Sequence, residues 1–244
     1  LTVTVVACIA VGGASFVLHS RSAVPAASAT STSSASAASE AESSLLTARQ
    51  AQAILDDPRM VLVNHTNKMP DDHTFTTKAC GSATAVNKTL QTEAADAFLA
   101  MQAAAAKDGV TIWMQSGYRS VDYQKNLYDQ KTQYFRNKGL SEAEAKKQAA
   151  NIVNPPGYSE HNCGLAADLN SPEHTDLTEG FENTDAFRWL SAHAHEYGFV
   201  LRYPVGKESL TGVPYESWHY RYVGIDAAQT IHDNGWCLEE YAAQ

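Results

Sequence analysis

The chain has 244 residues, a formal net charge of −9 at pH 7 and 9% aromatic residues. The acidic balance excludes proteins that bind nucleic acid through a general basic surface. The length fits one well-packed domain with an additional tail, and the composition is typical of a folded globular protein.

The first 46 residues differ in composition from the rest of the chain. Residues 1–20 are mostly an uncharged apolar run, which is typical of a secretion signal or a membrane anchor. Residues 21–46 are rich in Ala, Ser and Thr and bury too little apolar surface to fold, which predicts a disordered linker. We therefore expect an exported protein whose folded domain is formed by residues 47–244. Whether the apolar segment is cleaved or kept as an anchor is open.

The order of elements predicts an α+β domain, because helices come first and short strands cluster in its second half. The expected helices are 46–55, 91–107, 121–138, 142–153, 185–197 and 224–235. The expected strands are 60–64, 110–116, 164–170, 199–204 and 217–223. Ser120 is the expected N-cap of the third helix, and Ser141 with Glu144 forms a capping box for the fourth. We expect a small, mainly antiparallel sheet with helices packed around it.

Asp168 is a carboxylate inside the otherwise apolar run 165–169, where its charge is costly unless a partner compensates it. A metal is one candidate partner. Two histidines and one carboxylate are a common catalytic zinc set that leaves a coordination position open for water. His161, Asp168 and His219 supply such a set, and Gly164 is expected to turn the chain so that the first two face one ion.

Two further residues fit hydrolysis at such a metal. Glu216 lies three residues before His219, where a second carboxylate can act as the general base for a zinc-bound water. Arg119 follows a predicted strand and is a candidate cation for stabilising negative charge on the attacked carbonyl oxygen.

Each of these residues also has a structural interpretation. Asp168 can cap a turn with Asn170 and Ser171, Arg119 can form a salt bridge, and Trp218 can be a core residue. The remaining histidines of the folded part are expected to be structural or solvated: His65, His73, His174, His193, His195 and His232. Spacing alone does not connect the three segments.

Three motifs connect them through a resemblance. The pattern S-x-H-x-x-G-x-A-x-D occupies residues 159–168, E-x-W-H occupies 216–219, and "SGYRS" occupies 116–120, followed by Gln124. With these motifs the chain resembles the VanY-type D-alanyl-D-alanine carboxypeptidases, bacterial cell-wall zinc peptidases that include related L,D-carboxypeptidases. The similarity covers roughly residues 60–241.

The resemblance implies an α+β fold with one zinc ion held by His161, Asp168 and His219. It implies Glu216 as catalytic base and Arg119 as stabiliser of the oxyanion. Residues that match substrate-holding positions are Ser159, Tyr118 and Gln124.

The implied substrate is a peptidoglycan stem peptide that loses its C-terminal D-alanine, in the bacterial cell envelope outside the cytoplasm. An L,D-carboxypeptidase of the same fold, acting on tetrapeptide stems, is the alternative. A third hypothesis is a non-catalytic cell-wall binding module. Such a module would have no chemical need for Glu216 and Arg119. A monomer is expected, since no coiled-coil pattern is visible.

Three cysteines lie outside the apolar segment: Cys80, Cys163 and Cys237. In an exported protein the simplest arrangement is one disulfide and one free thiol, and we expect Cys163 to pair with Cys237. The family often has Thr at the position of Cys163, which leaves three readings: a disulfide anchor, an inert buried thiol or an alternative soft ligand. Ser217 stands where the family often has Pro, and little effect on the chemistry is expected.

Overall fold

The structure is a computed structural model that describes residues 52–53, 56–81 and 87–244. The predicted signal or anchor at 1–20, the predicted linker at 21–46 and most of the predicted helix 46–55 lie outside these residues. The folded part belongs to one compact unit that spans Thr47–Gln244. Within the described ranges no helix has the length and hydropathy needed to cross a membrane.

The described residues contain short strands, α-helices and single turns of 3-10 helix. The strands are β1 (Thr77–Ala79), β2 (Thr89–Gln91), β3 (Trp113–Ser116), β4 (Ala166–Asn170), β5 (Phe199–Leu201) and β6 (His219–Tyr222). The helices are α1 (Thr92–Lys107), α2 (Val121–Asn137), α3 (Glu142–Ala150), α4 (Asp185–His193), α5 (Glu208–Thr211), α6 (Ile225–Asn234) and α7 (Leu238–Ala242). The 3-10 segments are Pro58–Met60, Glu160–Cys163, Glu179–Asn183 and Ala194–Tyr197.

The main sheet has four strands in the order β3-β4-β6-β5, and every neighbouring pair is antiparallel. This architecture confirms the predicted α+β class with a small antiparallel sheet. In the β4–β6 register Asp168 lies opposite His219, and Ala166 lies opposite Arg221. Residues that lie opposite each other point to the same face of a sheet, so Asp168 and His219 share one face.

The other face of β4 belongs to the apolar core. Ala167 and Leu169 alternate with Asp168 along the strand and are fully buried in the main hydrophobic cluster. Helix α1 supplies much of that cluster through one face: Ala94, Ala95, Phe98, Met101 and Ala105. Both faces of β4 are therefore buried, one among apolar side chains and the other among charged ones.

The helix boundaries follow the capping signals. The Ser120 hydroxyl accepts a hydrogen bond from the backbone N–H of Tyr123 at 3.1 Å, so α2 begins at Val121 as predicted. Ser141 and Glu144 form the predicted capping box at the start of α3. Gly139 lies just beyond α2 with φ of +93°, a backbone conformation that favours glycine.

The predicted strand at 60–64 was wrong. Residues 61–64 form no strand, and Met60 ends a 3-10 turn. The carbonyl oxygens of Arg59 and Val61 instead accept hydrogen bonds from Nη2 of Arg221, at 2.7 and 2.8 Å. A buried guanidinium thus takes acceptors that a strand would offer to a neighbouring strand. Helix α7 was not predicted, although Cys237 and Glu240 form its capping box.

Candidate active site

The structure brings the predicted ligands His161, Asp168 and His219 together from three separate elements of the fold. His161 lies in the 3-10 segment Glu160–Cys163, Asp168 in β4 and His219 at the start of β6. One nitrogen or oxygen atom of each lies within 4.8 Å of the others, and all three residues are buried. Oδ2 of Asp168 is 3.3 Å from Nε2 of His161, and its Oδ1 is 3.1 Å from Nδ1 of His219.

Gly164 links the 3-10 segment to β4 in the way the sequence predicts. Its φ is +71°, in the left-handed region, and a Cβ at this position would lie 2.7 Å from Cε2 of Phe75. A side chain here would be strained by the backbone conformation and would collide with Phe75. The tight turn places His161 close enough to Asp168 for both to face one ion.

Hydrogen bonds orient both imidazole rings. Nδ1 of His161 lies 2.7 Å from the carbonyl oxygen of Gly117, which can only accept, so this nitrogen carries the proton and Nε2 keeps its lone pair. His219 is turned the other way, with Nδ1 towards Asp168 and Nε2 at 3.4 Å from Oε2 of Glu160. Nε2 of His161 and Nδ1 of His219 therefore both face Asp168.

The charges of the site follow from burial and from these contacts. Burial opposes ionisation of Asp168, but His161 and His219 hold the pKa of its carboxyl well below the usual range. Burial, together with Arg119, lowers the pKa of His161. Burial alone would lower the pKa of His219 as well, but hydrogen bonds to Asp168 and Glu160 raise it to about 9. Two imidazoles and one ionised carboxylate with converging donor atoms fit a zinc ion.

Glu216 and Arg119 flank the ligands. Oε2 of Glu216 is 3.5 Å from Nδ1 of His219, and its side chain is 27% exposed, so it reaches both the ligand set and solvent. Burial raises the pKa of Glu216, although His219 opposes the shift. Nη2 of Arg119 lies 3.5 Å from Oδ2 of Asp168, and the buried Nε has no hydrogen-bond partner among the described residues. The Arg119 side chain is 18% exposed and lines the cavity described below, so its guanidinium group can reach a bound molecule.

These residues border a cavity of about 270 Å³. Its walls comprise Arg119, Gln124, Ile152, Val153, Asn154, Ser159, Glu160, His161, Asp168, Leu177, Tyr203, Val213, Glu216, Trp218 and His219. Ser159 and Gln124 are in the wall, as expected for substrate-holding residues. Tyr118 is not in the wall, and its ring packs edge-on against Phe75 at a centroid distance of 5.3 Å.

The side-chain amide of Gln124 also orients Arg119. Its Nε2 donates to the carbonyl oxygen of Asn154 at 2.8 Å, and its Oε1 accepts from Nη1 of Arg119 at 3.3 Å. Asn162 supports the same arginine, because its Nδ2 donates to the Arg119 carbonyl oxygen at 2.7 Å. The Arg119 side chain is thus oriented from helix α2, and its backbone is held from the 3-10 segment.

Four charged residues next to the ligands were missed by sequence reasoning. They are Glu160, Arg202, Arg221 and Glu239, which form a chain of ion pairs behind His219. The signal available in the sequence was a single arginine inside each of two short apolar strand runs, 199–204 and 217–223. A buried arginine needs a carboxylate partner, and that partner was not identifiable from spacing.

The expected disulfide between Cys163 and Cys237 was wrong. Both residues, and Cys80, are free and buried. Sγ of Cys163 donates to the carbonyl oxygen of Glu160 at 2.9 Å, and burial raises the pKa of its thiol. Cys237 is instead the N-cap of α7. Of the three readings of Cys163, an inert buried thiol matches this environment.

Ser217 is fully buried in the turn that joins Glu216 to β6. Its hydroxyl lies 3.4 Å from the carbonyl oxygens of Thr178 and Glu179, so it ties the turn to a neighbouring segment. These contacts do not involve Glu216 or Trp218, the neighbours of Ser217 in the motif. The small effect of Ser217 on the chemistry stays a prediction.

Comparison with known proteins identifies the family. The VanY family model, described as D-alanyl-D-alanine carboxypeptidase, matches residues 87–225. A D-alanyl-D-alanine carboxypeptidase from Enterococcus faecalis is 36% identical over 202 residues, which cover 82% of this chain and 71% of the relative.

Solved structures agree with this match. VanYB in complex with D-alanine-D-alanine superposes with a TM-score of 0.65 at 35% identity, over 77% of this chain and 99% of that one. The L,D-carboxypeptidase LdcB gives a TM-score of 0.65 at 35% identity, over 76% and 87%. A Zn(II) complex of a VanY D,D-pentapeptidase variant gives 0.63 at 35% identity, over 76% and 99%. The chain belongs to the VanY family of D-alanyl-D-alanine carboxypeptidases and is a peptidase of that zinc-dependent type.

Proposed function

We propose that this protein removes the C-terminal D-alanine from peptidoglycan stem peptides, using one zinc ion held by His161, Asp168 and His219. The observation that carries the proposal is the convergence of these three ligands with Glu216 and Arg119 on one cavity. The D-alanine-D-alanine complex of VanYB supports the substrate, and the Zn(II) complex of a VanY variant supports the metal.

A zinc ion bound there would act as a Lewis acid and would lower the pKa of a coordinated water to about 7. In this proposal Glu216 takes a proton from the attacking water and returns it to the leaving amine. The raised pKa of Glu216 makes its carboxylate a stronger base towards the attacking water, and the carboxyl group so formed can hold the proton until the amine leaves.

Arg119 supplies the fixed positive charge of the cavity. Its Nε is free of partners among the described residues, while Gln124 and Asp168 hold the rest of the guanidinium group. Such a preoriented cation stabilises the negative charge that develops on the attacked carbonyl oxygen. Among the described residues, Arg119 is the only arginine or lysine that lines this cavity.

Three residues are proposed to hold the C-terminal end of the substrate. Ser159 is 4% exposed, lines the cavity and caps the 3-10 segment without a side-chain hydrogen bond, so its hydroxyl is available. Gln124 contributes through the orientation of Arg119. Contact by Tyr118 requires its ring to leave Phe75 or the substrate to extend past the cavity wall.

An L,D-carboxypeptidase acting on tetrapeptide stems is the second candidate. LdcB resembles this chain as closely in fold as VanYB does, with the same TM-score of 0.65. Both activities release a terminal D-alanine and need the same metal, base and cation. The non-catalytic binding module is disfavoured, because Glu216 and Arg119 are both held at the ligand set.

Purified protein is incubated with pentapeptide and tetrapeptide stem fragments, with and without a chelator, and the product masses are measured. Loss of one alanine from the pentapeptide alone supports the D,D activity, and loss from the tetrapeptide alone supports the L,D activity. Absence of cleavage of either peptide by the zinc-loaded protein contradicts the carboxypeptidase proposal.

The location of the activity is proposed from its substrate. Peptidoglycan lies outside the cytoplasmic membrane, so the domain is proposed to act in the bacterial cell envelope. The attachment of residues 1–20 to a membrane and the monomeric state stay predictions, which fractionation of cells and light scattering of the purified chain would test.

A further inference from the structure

Glu160 is a buried carboxylate that the hydrolytic roles above do not use. It precedes the ligand His161 in the 3-10 segment, and its side chain is 0% exposed. Its Oε1 accepts hydrogen bonds from Nε of Arg202 and Nη1 of Arg221, both at 2.7 Å. Its Oε2 is 3.4 Å from Nε2 of His219. The carboxylate therefore divides its two oxygens between a pair of arginines and a metal ligand.

The two arginines are themselves anchored at both ends of the folded domain. Nη1 and Nη2 of Arg202 donate to the two carboxylate oxygens of Glu239, in helix α7, at 2.8 and 2.6 Å. Nη2 of Arg221 donates to the carbonyl oxygens of Arg59 and Val61. Two buried cations face two carboxylates, so the formal charges of the network cancel. Bidentate and doubly anchored pairs of this kind fix geometry as well as charge.

The sheet register leaves space for this network. Arg221 follows His219 by two residues on β6 and so projects from the same face of the sheet. Its cross-strand neighbour on β4 is Ala166, while the neighbour of His219 is Asp168. The small side chain of Ala166 leaves room for the guanidinium group beside the ligand set. A bulky residue there would compete with Arg221 for the same space.

We propose that Glu160 is a positioning residue of the metal site, which accepts a hydrogen bond from Nε2–H of His219 and so presents Nδ1 to the zinc ion. Ligating histidines commonly donate their second N–H to a carboxylate, which fixes the tautomer and the ring plane and raises ligand basicity. The inference rests on the proposed zinc site. A carboxylate that only neutralises two arginines would have no effect on metal binding.

Glu160→Gln tests this role, with Glu239→Gln as the matched control. Both variants remove one carboxylate from the same arginine network, but only Glu160 contacts His219. Zinc affinity is measured by competition with a chromogenic chelator, the visible spectrum is recorded with Co(II), and thermal unfolding is followed without metal. Glu160→Gln is expected to lower zinc affinity by about 10- to 100-fold and to change the Co(II) spectrum. Glu239→Gln is expected to lower the unfolding temperature and to leave both metal readouts unchanged.

A Glu160→Gln protein that loses thermal stability but keeps wild-type zinc affinity and the wild-type Co(II) spectrum overturns the proposal. Should this variant not fold, the zinc-loaded wild-type protein decides, because ¹⁵N NMR of its histidine rings reports the tautomer. His219 protonated at Nε2 supports the proposal, and His219 protonated at Nδ1 overturns it. A wild-type protein that binds no zinc contradicts the proposed function itself. Wild-type zinc binding and peptide cleavage, with unaltered metal binding in Glu160→Gln, contradict only the role of Glu160.

Discussion

The two faces of strand β4 use burial in opposite ways. On one face Ala167 and Leu169 join the apolar cluster under helix α1. On the other face Asp168 is equally buried but lies among imidazoles, a guanidinium and further carboxylates. The apolar face supplies stability through area removed from water. Burying charges on the other face costs stability, but it gives a preorganised site, because buried charges interact strongly with a bound ligand.

We expect substitutions on the charged face to lower activity and substitutions on the apolar face to lower stability. Glu216→Gln removes the proposed base from the charged face without removing a ligand, so zinc should still bind. Turnover of the pentapeptide should fall by about 10²- to 10⁴-fold, the usual contribution of general acid–base catalysis. Steady-state kinetics with zinc-loaded protein measures the loss.

Glu142→Gln is the control for this change, because Glu142 has a 59% exposed side chain on helix α3 and forms only a surface pair with Lys146. It should keep wild-type turnover. A Glu216→Gln protein with wild-type turnover would show that the assigned base is wrong.

In the apolar cluster that packs against β4, Phe98→Ala should lower stability and leave the metal site intact. Phe98 is 0% exposed in the middle of α1, and truncation of a buried Phe costs about 3–5 kcal/mol through lost contacts and the cavity left behind. Urea unfolding of the metal-free protein measures the cost. Zinc affinity of the folded variant should stay within about threefold of wild type. A large loss of zinc affinity would show that the two faces are coupled.

The charged face should also make the metal-free protein sensitive to alkaline pH. Without metal, the pKa of His219 is raised from 6.5 to about 9 by Asp168 and Glu160. Protonated His219 therefore contributes its full stabilisation of the fold below about pH 6.5, and this contribution is lost as the pH rises through about 9. The difference corresponds to about 3 kcal/mol. Asp168 and Glu160 stay ionised across this window, because their pKa values are depressed.

Unfolding free energies from urea titrations at several pH values between 6 and 10 measure this loss. The matched variant is His219→Gln, which has no titrating group at this position and should lose the alkaline decline. A metal-free wild-type protein with equal stability at pH 6 and pH 9.5 would contradict the assigned hydrogen bonds of His219.

The smallest effect is expected for Cys163→Ser. Cys163 is buried beside the ligands, but its thiol donates to a backbone carbonyl and takes no part in the ligand set. Serine can donate to the same carbonyl, so the cost should be about 1 kcal/mol of stability. Zinc affinity should not change, with or without a reductant. A loss of zinc affinity would indicate that Cys163 is a metal ligand.

The sequence predicted those parts of the fold that depend on local signals. Ser120 and the Ser141–Glu144 box marked helix starts correctly, because capping uses residues three positions apart. The apolar run at 60–64 does not form a strand; the carbonyl oxygens of Val61 and of the preceding Arg59 accept hydrogen bonds from Arg221, about 160 residues away. No local pattern contains that interaction.

The candidate site shows the same division. The grouping of His161, Asp168 and His219 was predictable from motifs, since zinc chemistry restricts ligand types. Glu160 stands inside one of these motifs, but its role depends on Arg202, Arg221 and the ring orientation of His219. The thiol of Cys163 was misjudged because cysteine counting does not show which thiols lie close enough to pair.

We propose that one zinc ion, held on the charged face of the sheet, is required for the hydrolysis. Titration of chelator-stripped protein with zinc, with pentapeptide cleavage measured at each addition, tests it most directly. We expect no cleavage without metal and a linear recovery of activity that ends at one zinc ion per chain. Full activity of the stripped protein, or a recovery that continues to two zinc ions per chain, would contradict it.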